Sequence, residues 1–108
     1  MDIYNLSQWL NDLDRSRARY QEFLRQPSLS VGVYTLPAGG VDPQQPHSED
    51  EVYYVVSGRA TITVSAEERV VAPGDVVFVA ARVPHHFHRI TEDLTLLVFF
   101  APAEGSQP

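Results

Sequence analysis

Residues 39–58 read GGVDPQQPHSEDEVYYVVSG, and the spacing within this stretch decides the fold. A glycine pair opens it, a polar segment with two prolines follows, and a β-branched and aromatic run ends at Gly58. Side chains of an extended chain alternate between two faces, so residues two and four apart point the same way. Gln45, His47 and Glu51 therefore share a face with Tyr53 and Val55. An amide, an imidazole and a carboxylate stand together at the start of what reads as a core strand. The other three of the four histidines lie in VPHHFH, residues 83–88, beside another strand-like run. Neutral imidazole and carboxylate are good ligands for divalent first-row metals, and an amide oxygen is a weaker neutral donor. The pattern points to a metal site inside a small β-barrel.

Strand periodicity limits how many of the later histidines can join it. If His85 faces inward, Phe87 does too, while His86 and His88 face away; the opposite phase would expose Phe87. Burial of an aromatic ring favours His85. Glu49 has the right phase but sits in the acidic run SEDE, where solvation is expected.

The rest of the chain supports an all-β domain. Strands are expected over 29–36, 52–57, 60–65, 69–72, 76–80, 85–90 and 94–100, with turns at Gly58–Arg59, Pro73–Gly74–Asp75 and 91–93. Several short strands with regular turn signals indicate a sandwich or barrel, and closure removes edges that would invite aggregation. Residues 1–27 have a different texture. Leu6, Trp9, Leu10, Leu13, Tyr20, Phe23 and Leu24 follow helical spacing, Asn5 and Gln8 fit a capping box, and Pro27 ends the pattern. One helix or two short ones are expected there. Residues 102–108, PAEGSQP, read as a flexible tail.

Composition sets the outer bounds. The 108 residues suit a single domain, 44% apolar and 20% charged. A formal charge of −6 argues against nucleic-acid or anionic-membrane partners. With no cysteine, any metal must be held by nitrogen and oxygen. The N-terminus lacks the basic start and apolar core of a signal peptide, and no apolar run reaches membrane-spanning length, so a cytoplasmic location is expected.

These residues resemble the cupins, a family of small β-barrels. The first cupin motif has a glycine, five residues, H-x-H, three or four residues, a glutamate, six residues and a glycine. Gly39, Gln45, His47, Glu51 and Gly58 fall on that frame, with glutamine replacing the first histidine. In the second motif Gly74 and His85 keep the glycine and histidine, whereas Ala80, Arg82 and Arg89 replace a proline, a glycine and an asparagine. Arg82 makes its loop less tolerant of a left-handed backbone. The resemblance, over residues 29–101, implies a double-stranded β-helix (jelly-roll) barrel behind the helical N-terminal segment. It further implies a metal held by His47, Glu51, His85 and Gln45, with Gln45 either ligating directly or standing behind the other three. Iron, manganese, zinc, nickel and copper all suit such donors.

The expected function is a metal-dependent enzyme, a dioxygenase, isomerase or lyase, acting on a small organic molecule in the barrel mouth. Tyr53 and Arg89 are its candidate catalytic groups; the alternative for Arg89 is an ordinary surface or salt-bridged arginine. A non-catalytic cupin that binds or senses a small ligand is the other reading. A homodimer is expected, because Val52, Tyr54 and Val56 form an outward apolar stripe and small cupins commonly pair through their sheets.

Overall fold

Two long strands organise the molecule. β3 (Asp50–Val64) and β6 (His85–Ala101) run antiparallel along their whole lengths, from Asp50↔Ala101 to Val64↔His85. The remaining strands attach to them: β1 (Arg19–Gln26), β2 (Leu29–Leu36), β4 (Glu67–Val71) and β5 (Val76–Val79). The computed structural model describes residues 1–11 and 17–106. On one half of the barrel the order is β1, β2, the C-terminal half of β6, the N-terminal half of β3, then β5. On the other half, the start of β6 pairs with the end of β3, which carries β4. The core joins both halves, from Tyr34, Leu36, Tyr53, Val55 and Leu96 to Ile62, Val71 and Phe87. This is the all-β cupin-type barrel expected from the residues.

The two long strands correct four of the expected short ones. Gly58 and residues 91–93 do not reverse the chain; β3 and β6 pass through them with three register shifts between Val55 and Thr61. Gly58 has φ of 95°, and a Cβ there would run into the Asp93 carbonyl oxygen and Leu94 Cα of the paired strand. Glycine is required for close approach of two backbones, where the sequence suggested a turn. On β6 the same bend places Arg89 at φ of 47° and flips the alternation, so Ile90 rather than Arg89 enters the core. Arg82, expected to resist a left-handed backbone, adopts φ of 66°.

The N-terminal segment is also corrected. Among the described residues, only α1 (Leu6–Asn11) is α-helical, with Asn5 capping it through Oδ1 to the Ser7 N–H at 3.0 Å. Leu13 falls outside the described residues. Arg19–Gln26 is a strand paired with β2, and Gln26↔Leu29 closes a two-residue hairpin at Pro27–Ser28. A bulge between Glu22 and Leu24 explains the helical spacing. Tyr20 packs edge-on to Tyr34 and Phe100, while Phe23 meets Tyr4 and Trp9 of the N-terminal segment. One extra residue in a strand puts apolar groups three and four apart, as a helix does.

Residues 102–106 are docked rather than free. The Ala103 N–H donates to the Pro27 carbonyl, the Glu104 N–H to Ser30 Oγ, and Arg25 to the Glu104 carbonyl at 2.7 Å. Residues 107–108 of the expected tail fall outside the described set.

Candidate metal centre and its cavity

Each candidate ligand arrives on a different element. Glu51 lies at the start of β3 and His85 at the start of β6, which are opposite ends of the paired ladder. Because the two halves of the barrel face each other, these residues meet across the interior, 2% and 6% exposed. His47 comes from the loop before β3. Two bonds tie that loop and the start of β3 to the loop before β6: the Arg82 N–H donates to the His47 carbonyl at 2.6 Å, and the Ala81 N–H to Asp50 Oδ1 at 2.9 Å. The left-handed Arg82 thus positions His47. The side-chain donors of His47, Glu51 and His85 all lie within 4.8 Å of one another.

The hydrogen bonds around His85 define what it can do. Its Nδ1–H donates to the Val83 carbonyl at 2.9 Å, which leaves Nε2 directed at the site. Nε2 lies 2.9 Å from Glu51 Oε1 and 3.0 Å from the Tyr53 hydroxyl. Close as it is, Glu51 Oε1 has no hydrogen-bond partner. A ring nitrogen and a carboxylate oxygen face each other in the barrel interior, an arrangement that a cation between them relieves. Burial lowers the His85 pKa, but the Glu51 carboxylate and the Val83 carbonyl outweigh it and raise it overall. A proton or a metal ion answers the same demand. The donor set, two imidazoles and a carboxylate, suits a divalent first-row metal.

Tyr53 is fully buried beside this cluster, with its ring edge-on to Phe87. Burial and the nearby Glu51 carboxylate push its phenol well above the ordinary value, so it is a hydrogen-bond donor. It donates to Gln44 Oε1 at 3.0 Å. Gln44, missed in the sequence, is thus the amide at the cluster. Gln45, the residue on the motif frame, is solvent-exposed and outside the cavity lining. Arg89 is likewise corrected: it is exposed and lies 3.5 Å from Glu68 on the outer surface, remote from any role in the cavity. Glu49 is buried rather than solvated, and accepts a hydrogen bond from Ser48. His86 is exposed and His88 pairs with Glu68, as their outward phase required.

The cluster opens into a cavity of about 250 Å³, walled by Ala18, Arg19, Tyr20, Tyr34, Pro43, Val98, Phe100 and Glu104, and floored by Gln44, His47 and Glu51. Its surface is mainly apolar. Glu104 lies 3.8 Å from His47 Nδ1, and burial raises its carboxyl pKa while His47 opposes the shift. Among the described residues, two buried side-chain polar atoms have no hydrogen-bond partner, Glu51 Oε1 and the Tyr20 hydroxyl. Both belong to residues lining this cavity. Tyr20 and Glu104 were not legible as site residues, because one was read within a helix and the other within a free tail.

Fold and site together define a cupin. Residues 32–100 match the family model described as a cupin domain, and the chain belongs to that family. An uncharacterized protein of Streptomyces coelicolor is 54% identical over 100 residues, covering 89% of this chain and 95% of that one. Among solved structures, TT1209 from Thermus thermophilus is 27% identical with a TM-score of 0.81, over 95% of this chain and 99% of that chain. The DMSP lyase DddQ from Ruegeria pomeroyi is 25% identical with a TM-score of 0.73, over 79% of this chain and 47% of that chain. No described helix is long and apolar enough to cross a membrane.

Proposed function

We propose that this cupin is a metal-dependent enzyme acting on a small organic molecule, with His47, Glu51 and His85 holding a divalent transition metal. The observation that carries the reading is the buried Glu51 Oε1, without a hydrogen bond and 2.9 Å from His85 Nε2, in a cluster whose three ligand atoms lie within 4.8 Å of one another. An uncompensated carboxylate oxygen in a barrel interior costs on the order of 1–3 kcal/mol or more, which a bound cation would recover. When bound, such a metal supplies Lewis-acid polarisation of a substrate oxygen. The chain's own groups supply the rest. The apolar wall of Tyr34, Val98 and Phe100 excludes water and packs against the substrate body. Tyr53, held protonated, donates a hydrogen bond at the cluster, and Glu104 offers a carboxylate for proton transfer.

Acid–base groups beside a metal favour isomerase or lyase chemistry over oxygen activation, and the similar DMSP lyase fits that class. The test is metal analysis of purified wild type against Glu51→Ala and His85→Ala. Near-stoichiometric metal in the wild type and little in either variant is expected; equal metal in all three refutes the centre. Metal-dependent turnover that persists without oxygen supports the proposed class, and a strict oxygen requirement reassigns the enzyme as an oxygenase. Ligand binding that survives chelation, with no turnover, would instead favour a non-catalytic sensor.

The same reading includes a homodimer. The outward stripe of Val52 and Tyr54 continues across the sheet through the pairs Val52↔Phe78 and Tyr54↔Val76. Tyr54, Val76 and Phe78 are 40%, 67% and 62% exposed. A sheet face of this kind suits a second copy of the chain.

A further inference from the structure

The amide at the cluster is held in one orientation by a half-buried hub. Asp42 Oδ1 accepts from the Tyr34 hydroxyl at 2.5 Å and from the Gln44 backbone N–H at 3.2 Å. Asp42 Oδ2 accepts from the Phe87 N–H at 2.9 Å and from Gln44 Nε2 at 2.8 Å. A carboxylate only accepts, so the NH₂ end of Gln44 must face Asp42 and its carbonyl oxygen must face the site. Tyr53 confirms the orientation by donating to that oxygen. One Oε1 lone pair takes the phenol hydrogen, and the second faces His47 Nε2, which donates to it when that nitrogen carries the ring hydrogen and shares a cation with it when the hydrogen is on Nδ1.

That second lone pair is in the right place. Gln44 Oε1 lies 3.4 Å from His47 Nε2, and His85 Nε2 lies 2.9 Å from Glu51 Oε1. Ligand atoms about 2.1 Å from one divalent ion are separated by about 3.0 Å at right angles and about 3.4 Å at tetrahedral angles. A neutral amide oxygen and an imidazole nitrogen at such a spacing, with no hydrogen compelled to lie between them, are arranged as neighbouring ligands.

We propose that Gln44, oriented by Asp42, is the fourth protein ligand of the metal, making a centre of two imidazoles, one carboxylate and one amide oxygen. This rests on the His47–Glu51–His85 reading above and adds a consequence to it. Replacing imidazole nitrogen by carbonyl oxygen hardens the donor set, and harder sets shift preference from zinc, nickel and copper toward manganese(II) and iron(II). Asp42 and Tyr34 are positioning residues in this scheme, acting through Gln44.

The test measures manganese(II) and zinc(II) affinities by competition with a chelating dye, for wild type, Gln44→Met, Gln45→Met and Glu51→Ala. Methionine keeps the length of glutamine and removes the oxygen. Gln44→Met is expected to weaken manganese(II) at least tenfold and zinc(II) less, while Gln45→Met matches wild type. If Gln44→Met binds both ions as wild type does and Glu51→Ala loses both, the three-residue centre stands and Gln44 is excluded from it. If Glu51→Ala also retains both, the underlying reading fails and this one with it. Should Gln44→Met not fold, the wild-type protein decides the matter by NMR. Adding zinc(II) should move the side-chain amide resonances of Gln44 and leave those of Gln45 in place; an unmoved Gln44 overturns the proposal.

Discussion

Gly58 and Gly74 share φ of 95°, yet their surroundings differ, and the pair isolates how β3 crosses β6. A Cβ at Gly74 would meet no atom within 4 Å, whereas at Gly58 it would overlap the Asp93 carbonyl and Leu94 Cα. In Gly74→Ala the loss comes from backbone strain alone, about 1–3 kcal/mol. A gain of about 0.4–1 kcal/mol from the less flexible unfolded chain offsets part of it. Gly58→Ala carries the same terms plus overpacking, about 1–3 kcal/mol. The upper half of that range is expected, because the obstacle is main chain and no rotamer change relieves it. The excess of Gly58→Ala over Gly74→Ala should be about 2 kcal/mol, on the order of 10 °C in Tm for a domain of this size. Urea and thermal unfolding by circular dichroism, with chelator present so that metal binding does not contribute, measure both variants. Losses equal to within about 0.5 kcal/mol would refute the close approach of the two strands at Gly58.

Burial raises the phenol pKa of Tyr20, of Tyr34 (helped by Asp42) and of Tyr53. A phenol kept neutral by the fold contributes stability that is fully present below the unfolded value of about 10 and is lost as pH rises above it. The urea midpoint should therefore fall steeply between pH 9 and 11, with a shallower fall in Tyr34→Phe; a midpoint unchanged over that interval contradicts the burial argument. At neutral pH, Tyr34→Phe removes a bond to a carboxylate and should cost about 1.5–3 kcal/mol in urea unfolding. On the outer sheet, Phe78→Glu should convert a dimer to monomers without loss of far-ultraviolet signal, read by sedimentation equilibrium. A wild type that sediments as a monomer at micromolar concentration rules out that interface.

The barrel was legible because its signals are local. The β-branched and aromatic runs over 52–57 and 94–100 and the alternation ATITVS over 60–65, together with the spacing of His47, Glu51 and His85, are visible in the sequence alone. What was hidden depends on breaks in alternation. The bulge at Phe23 made a strand look helical, and the left-handed Arg89 reversed the phase that had pointed its guanidinium inward. Gln44 and Gln45 are adjacent, and pattern favoured the one on the expected frame; Asp42, through its hold on the Gln44 amide, decides otherwise. Glu104 could not be placed from PAEGSQP, because the bonds that dock it come from Ser30, Pro27 and Arg25, far away in the chain.

The cavity wall is divided between two parts of the chain. His47, Glu51, Val98 and Phe100 lie within residues 32–100, the part shared with the cupin domain, but Ala18, Arg19, Tyr20 and Glu104 come from flanking segments on either side. Those flanks pack onto the barrel without contributing to the β3–β6 ladder. A substitution in them can reshape the pocket while the ladder that presents Glu51 and His85 is left alone. The shape of the pocket is therefore editable at Ala18, Arg19 and Tyr20 without touching His47, Glu51 or His85, and exchanging the N-terminal flank between related cupins is a direct way to retune what the site accepts.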